Sequence, residues 1–347
     1  MKIIKQILGI VLLLSICAYG KGIPVGRIRV PTSVVNESEA YVNDSYTMNG
    51  IEYNQTQGIA SDGVRYLYWV LRDREADDHA TAETYDPDNH GDLIRKWDTW
   101  NNESAGLSTD VSVKYGHCED IAFIPSYFSG FDNGNVDRLY LIDLKRTKSD
   151  ELLIHVVNAD TLEYIDSFST AELGPSSTEH WNGACHVWCS QEHKKIVLES
   201  VTPKEENSSR RHIVVAIYSM DGTLEKAVEF DRTGGTEFGM DCDEDYIYLS
   251  RYVSGEEKDR YKISLFALNW DLQPVARVSV EQFAWEIEGV CHIGEDFYIS
   301  YIGDRKEKGA VIVKAHLVYE EHNTRELPLS WTGRAGYPLD SFVYLKP

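Results

Sequence analysis

The chain has 347 residues, with 34 basic against 56 acidic side chains and a formal net charge of −22. So negative a surface repels nucleic acid and anionic membranes and favours cations and neutral or cationic ligands. The length suffices for two domains or one large one, and no stretch beyond the N-terminus is long and apolar enough to span a bilayer.

Residues 1–20 read as a secretory signal: Lys2 and Lys5, an apolar core from Ile7 to Ile16, and a small-x-small site at Ala18-Tyr19-Gly20. The expectation is a secreted, extracellular protein, periplasmic if the source is Gram-negative. Cleavage removes Cys17 and leaves Cys118, Cys185, Cys189, Cys242 and Cys291. Residues 21–57 form an N-terminal extension with strand-like pieces, RIRV and GIEY. Asn-x-Ser/Thr triplets begin at Asn36, Asn43, Asn54, Asn102 and Asn207, acceptors for glycans in a eukaryotic secretory pathway.

From residue 58 onward one phrase recurs. A glycine precedes a small or apolar residue, a polar or acidic stretch and a Tyr/Ile/Val-rich strand. The copies begin at Gly58 (GIASDGVRYLYWVL), Gly116 (GHCEDIAFIPS), Gly183 (GACHVWCSQEHKKIVLE), Gly239 (GMDCDEDYIYLSR) and Gly289 (GVCHIGEDFYISY). Each copy divides into four short strands. The second reads GHCEDIAFIP, DRLYLIDLK, LLIHVVNAD and LEYIDSF. The third reads ACHVWCS, KKIVLESV, HIVVAIYS and LEKAVEF, with Met220-Asp221-Gly222 as a turn. The fourth reads MDCDEDYIYLSR, KISLFALNW and PVARVSV, and the fifth VCHIG, DFYISYI, AVIVKAHLV and RELPLSW. β-branched and aromatic runs separated by Asp, Asn and Gly are strand-and-turn chemistry, and no segment sustains a helical period. The first copy is less regular: after YLYWVLRD, the polar stretch Glu75–Asp92 precedes LIRKWDTW.

A strand-built repeat of this length resembles a β-propeller with one blade per copy. The resemblance covers residues 58 to about 330 and implies an all-β, five-bladed propeller over residues 58–347. Either terminus can supply the strand that closes the ring. The two termini together are the alternative, a sixth blade. Cys118, Cys185 and Cys291, each two residues after a repeat glycine, read as one small buried slot. The glycines themselves read as sites of close strand approach near the axis.

The resemblance also implies where a site lies. In propellers the first strand of each blade lines the central channel, and the starts of these strands open on one face. Ligand-binding candidates there are Gln57, His117, Glu119, Asp120, Trp181, His186, Trp285, Glu286 and Glu288. Converging carboxylates raise one another's pKa unless a cation or hydrogen-bond donors intervene. A divalent cation such as calcium would therefore suit Asp120, Asp241 and Glu288, whereas His117, His186 and His292 suit a transition metal. Five-bladed propellers include inverting glycosidases, and for that chemistry the catalytic candidates are His117, Asp120, Glu179 and Glu288. The first blade offers no carboxylate before Asp62. Asp243 and Asp296 read as turn closers. No nucleophile elbow and no phosphate-binding loop is present.

Three functions remain open on the sequence. The first is binding of a glycan or other small polar ligand, with or without a cation, at the channel mouth. The second is a channel-mouth hydrolase acting on a glycan or phosphate ester. The third is an extracellular protein-interaction surface using the Glu75–Asp92 loop.

Overall fold

The structure is a computed structural model. It describes residues 27–37, 41–44, 46–48, 51–73, 91–108, 118–132, 134–143, 152–178, 181–201, 210–233, 237–253, 262–280, 287–302, 310–323 and 342–345.

Three strands precede the first repeat: β1 (Arg27–Asn36), β2 (Val42–Asp44) and β3 (Tyr46–Met48). Blade one follows as β4 (Ile51–Ser61), β5 (Tyr66–Asp73), β6 (Leu93–Asp98) and β7 (Glu103–Leu107). Blade two is β8 (Cys118–Ile124), β9 (Arg138–Asp143), β10 (Leu153–Asn158) and β11 (Tyr164–Ser169). Blade three is β12 (His186–Ser190), β13 (Lys195–Val201), β14 (Arg210–Ser219) and β15 (Leu224–Thr233). Blade four is β16 (Glu237–Cys242), β17 (Tyr246–Val253), β18 (Lys262–Asn269) and β19 (Pro274–Ser279). Blade five begins with β20 (Ile287–Ile293), β21 (Asp296–Ile302) and β22 (Ala310–Asn323), and β23 (Phe342–Leu345) ends the described chain.

These strands form five antiparallel sheets; in four of them the first strand of a copy is the inner edge, and in blade one β3 pairs on the far side of β4. The protein is a five-bladed β-propeller. The sixth blade fails because the two termini join different sheets. β1 takes the outer place of blade five beside β22, from Arg27↔Asn323 to Asn36↔Ala315, and so closes the ring. The fifth copy's expected last strand, RELPLSW, lies outside the described residues, and β1 occupies the position it would have filled. β23 instead adds a fifth strand to blade three, beside β15.

The strands read as nearly continuous apolar runs because blades stack face against face, burying both sides of each middle strand. Every residue of β9 is buried, as are Ile196 to Leu198 and Ile213 to Tyr218. Outer strands lack that second neighbour, and β7 and β11 begin exposed. The hairpins into the outer strands of blades three and four share one turn whose fourth residue is left-handed, Gly222 at φ 82° and Leu272 at 60°. The turn of blade two is one residue longer and places Leu162 there at 62°. Only the glycine adopts this freely; the leucines are held by their burial.

Around the axis the first strands pack unusually close. A Cβ on Gly58 would lie 2.6 Å from the Asp120 Cα. One on Gly289 would lie 2.8 Å from the Ile59 nitrogen, and one on Gly239 3.2 Å from the Gly289 Cα. In blades one, two, four and five a β-bulge interrupts the ladder just before or at this level. A bulge re-aims the side chains beside it and bends the strand toward the axis.

This layer corrects the alignment of the copies. Asp120 meets Gly58, and the start of β12 at His186–Val187 meets Asp120. The glycines at 116 and 183 are therefore not equivalents of Gly58, Gly239 and Gly289. Cys118, Cys185 and Cys291 then do not share one slot. All five described cysteines are nevertheless buried, and none is in a disulfide.

Candidate functional site

Two histidine–aspartate pairs link first strands of neighbouring blades. The upper pair joins blades two and three. Asp120 follows the bulge of β8, is 1 % exposed, and accepts a hydrogen bond from the Val187 N–H at 2.9 Å. His186 Nδ1 lies 3.4 Å from Asp120 Oδ2. Burial pushes the Asp120 carboxyl upward, opposed by His186 and the Val187 N–H. A Cβ on Gly239 would sit 3.7 Å from its other oxygen. Asp120 thus plugs the axis at the glycine layer.

The lower pair joins blades four and five, two and three residues further along their strands. Asp241 is wholly buried in β16, and its Oδ1 accepts the Cys242 N–H at 2.8 Å. Both its oxygens contact His292 Nδ1, at 2.9 and 3.0 Å. Burial alone would lower the His292 pKa; the Asp241 charge and hydrogen bond, with Asp243 and Glu192, raise it to about 9. The imidazole is 28 % exposed. With Nδ1 committed to Asp241, Nε2 is the nitrogen left for another partner.

His292 lines a cavity of about 660 Å³ at the hairpin end of the axis, where first strands turn into second strands. Blades one, three, four and five contribute the hairpins at Ser61–Val64, Trp188–Glu192, Cys242–Asp245 and His292–Phe297. The closing strand adds Arg29, and β22 adds His316, Leu317 and Tyr319. Polar bonds between blades hold this rim. Gln191 Nε2 donates to the Asp62 carbonyl at 2.8 Å, joining blades three and one. Ser61 Oγ donates to the His292 carbonyl at 2.5 Å, and His193 Nε2 meets the Glu244 carbonyl at 2.6 Å.

The lining is strongly acidic, with Glu37, Asp62, Glu192, Asp243, Glu244, Asp245, Glu295 and Asp296 against Arg29 and two histidines. Several of these carboxylates have structural tasks. Asp62 Oδ1 accepts the N–H groups of Val64, Arg65 and Tyr66, closing its hairpin. Asp243 Oδ1 does the same for Asp245 and Tyr246, while Oδ2 accepts Tyr248 and Tyr319 hydroxyls at 2.6 and 2.9 Å. Asp296 pairs with Lys314 at 2.9 Å. Asp245 is pushed upward by burial and then by the charges of Asp243 and Glu244.

The expected residues separate into three groups. Gln57, Asp120, His186 and Glu288 are buried by the glycine layer, at 2, 1, 1 and 7 % exposure. Trp181 is committed to structure: its Nε1 donates to the Thr170 carbonyl at 2.8 Å, and its ring packs against Gly174. His117, Glu179, Trp285 and Glu286 lie outside the described residues, as does the side chain of Glu119. Residues 74–90 of the long first-copy loop do as well. Asp120, Asp241 and Glu288 do not assemble the expected cation site. Among the described residues no three His, Cys, Asp or Glu side chains form a group that could hold a metal ion. The two aspartates sit at different depths, each turned to its own histidine.

Sequence reasoning placed Asp241 and His292 near the axis but missed their pairing, and it placed the opening at the other end of the first strands. The available signal was their offset, two residues after Gly239 and three after Gly289.

No protein-family model matches the chain, and no curated protein matches it. Similar solved structures include a protein of unknown function from Dyadobacter fermentans, at 10 % identity and a TM-score of 0.45, covering 86 % of this chain and 100 % of that one. A glycosyl hydrolase from Bacteroides ovatus is 10 % identical with a TM-score of 0.42, covering 87 % and 96 %. A β-1,2-mannobiose phosphorylase from Listeria innocua is 9 % identical with a TM-score of 0.45, covering 84 % and 97 %. Similarities this low assign no activity and no residue roles to this chain. Among the described residues no helix is long and apolar enough to cross a membrane.

Proposed function

We propose that this chain is a secreted ligand-binding propeller whose site is the cavity at the hairpin end of its axis. Its ligand is a small polar molecule, neutral or cationic, rich in hydroxyl or amine groups. The single observation that carries the reading is the His292–Asp241 pair on the cavity wall. A wholly buried carboxylate fixes the ring and keeps it protonated, so that a rigid N–H donor meets the ligand. Surrounding carboxylates accept hydrogen bonds from hydroxyl or ammonium groups, which suits a glycan fragment or an amine. The same charges disfavour a phosphate ester.

One observation favours a second reading. A protonated histidine oriented by a buried aspartate is a competent general acid, and a glycan hydrolase would need one. Glycoside hydrolysis also needs a carboxylate as base or nucleophile, and Asp62, Asp243 and Asp296 on the cavity wall are engaged in turns or an ion pair. Binding without turnover is therefore the preferred reading.

The test is a calorimetric and thermal-shift screen with mono- and oligosaccharides and small amines. Any ligand recovered should bind about tenfold or more weakly to His292→Gln, the loss of one charge-assisted hydrogen bond. Affinity should also decline as pH rises through about 9, where His292 loses its proton. Undiminished affinity in His292→Gln overturns the site. Release of reducing sugar from a bound glycan, abolished in His292→Gln, would favour the hydrolase.

A further inference from the structure

The C-terminal strand is not part of the ring. Closure is performed by β1 on blade five, and β23 lies on the outer edge of blade three, two blades away. Its four backbone pairs are antiparallel: Ala227↔Leu345, Val228↔Tyr344, Glu229↔Val343 and Phe230↔Phe342.

Its location follows from the edge it covers. The outer strands of blades one, two and four are short, with five residues in β7 and six each in β11 and β19. β15 has ten, all but one of them in register with β14. A long regular outer strand presents a row of main-chain donors and acceptors, ready to pair with any extended segment. Ala227, Val228 and Phe230, where β23 pairs, are wholly buried.

About 18 residues separate β22 from β23, an extended reach of roughly 60 Å. The described ladder that holds the segment is only four pairs long, against nine between β15 and β14. We propose that the outer edge of blade three is a strand-binding site for an extended apolar peptide, and that residues 342–345 of this chain are its resident, exchangeable ligand. Recognition is by β-addition, in which the main chain supplies affinity and alternate side chains supply selectivity.

The experiment uses the chain truncated after Pro338 and a fluorescent peptide of residues 339–347, read by anisotropy. The truncated chain should melt cooperatively and bind the peptide saturably. The full-length chain, its edge occupied in cis, should bind at least about tenfold more weakly. A peptide carrying Val343→Pro and Tyr344→Pro should not bind the truncated chain. One of two adjacent residues must direct its N–H toward β15, so the pair removes a ladder donor in either register.

A truncated chain that folds but binds no peptide up to millimolar overturns the proposal. So does full-length protein that binds as tightly as the truncated form, because the site is then elsewhere. Full-length Val343→Pro/Tyr344→Pro is the second variant. If this variant and the truncation both lose cooperative folding, the strand is an obligatory part of the blade and the proposal fails. If the full-length variant folds and binds wild-type peptide as the truncated chain does, exchange at this edge is supported.

Discussion

Gly58→Ala tests the closed glycine layer directly. The added Cβ would lie 2.6 Å from the Asp120 Cα, 2.9 Å from the Ile121 nitrogen and 3.0 Å from the Asp120 carbonyl carbon. All three are backbone atoms, so no rotamer change relieves the clash. Blades one and two must separate by about 0.8 Å to restore ordinary contact, and a gap of that size forfeits a quarter to a half of the dispersion attraction across the seam. Overpacking of this kind costs about 1–3 kcal/mol, and a backbone-against-backbone clash belongs at about 3. The lower chain entropy of alanine in the unfolded state returns only about 0.4–1 kcal/mol. The net expectation is a loss of about 2 kcal/mol, or a melting temperature lower by about 3 °C for a chain of this length. Urea unfolding followed by tryptophan fluorescence reads this, with Gly106→Ala as the control. A Cβ on Gly106 would meet nothing closer than 3.5 Å, so that change should stay within about 0.5 kcal/mol of wild type. If Gly58→Ala is as stable as wild type to within about 0.5 kcal/mol, the axis is not packed as described.

Two further outcomes follow from the buried groups. His292 has a folded-state pKa of about 9 against an ordinary 6.5. Its raised pKa means the folded state binds the proton more tightly, so its stabilisation is complete below about pH 6.5 and is lost as pH rises through about 9. Urea midpoints should fall across that window in wild type and flatten in Asp241→Asn; an unchanged slope would refute the pairing. The thiols of Cys189, Cys242 and Cys291 are all pushed up by burial, and all five described cysteines are buried outside any disulfide. None of the five should react with a thiol reagent in the native protein, all five should react after unfolding, and a reductant should leave the melting temperature unchanged. Rapid native labelling of any of them would contradict their burial.

Legibility in the sequence followed the range of the interaction. The second copy's four strands were readable to within a few residues because β-branched runs and their Asn, Asp and Gly turns are local features. The turn at Met220-Asp221-Gly222 and the turn-closing role of Asp243 belong to the same class, since each closes within a few residues. The alignment of the copies at the axis was not readable. Gly116 matches Gly58 in spelling, but the bulge in β8 carries Asp120 to the position facing Gly58. A one-residue bulge leaves almost no trace in composition and still moves every later side chain. The expected calcium triad failed for the same reason, because Asp120 and Asp241 sit at different depths and turn to different histidines.

The sequence by itself determined that this chain is all-β, built of five like units around an axis, and acidic enough to reject polyanions. These follow from periodicity, turn residues and charge, which need no knowledge of neighbours. Only the tertiary structure decided which terminus closes the ring, which end of the axis opens into a cavity, and that Asp241 holds His292 there. Those outcomes depend on contacts between residues about 50 to 300 positions apart, and such contacts are set by how five sheets pack around a crowded axis.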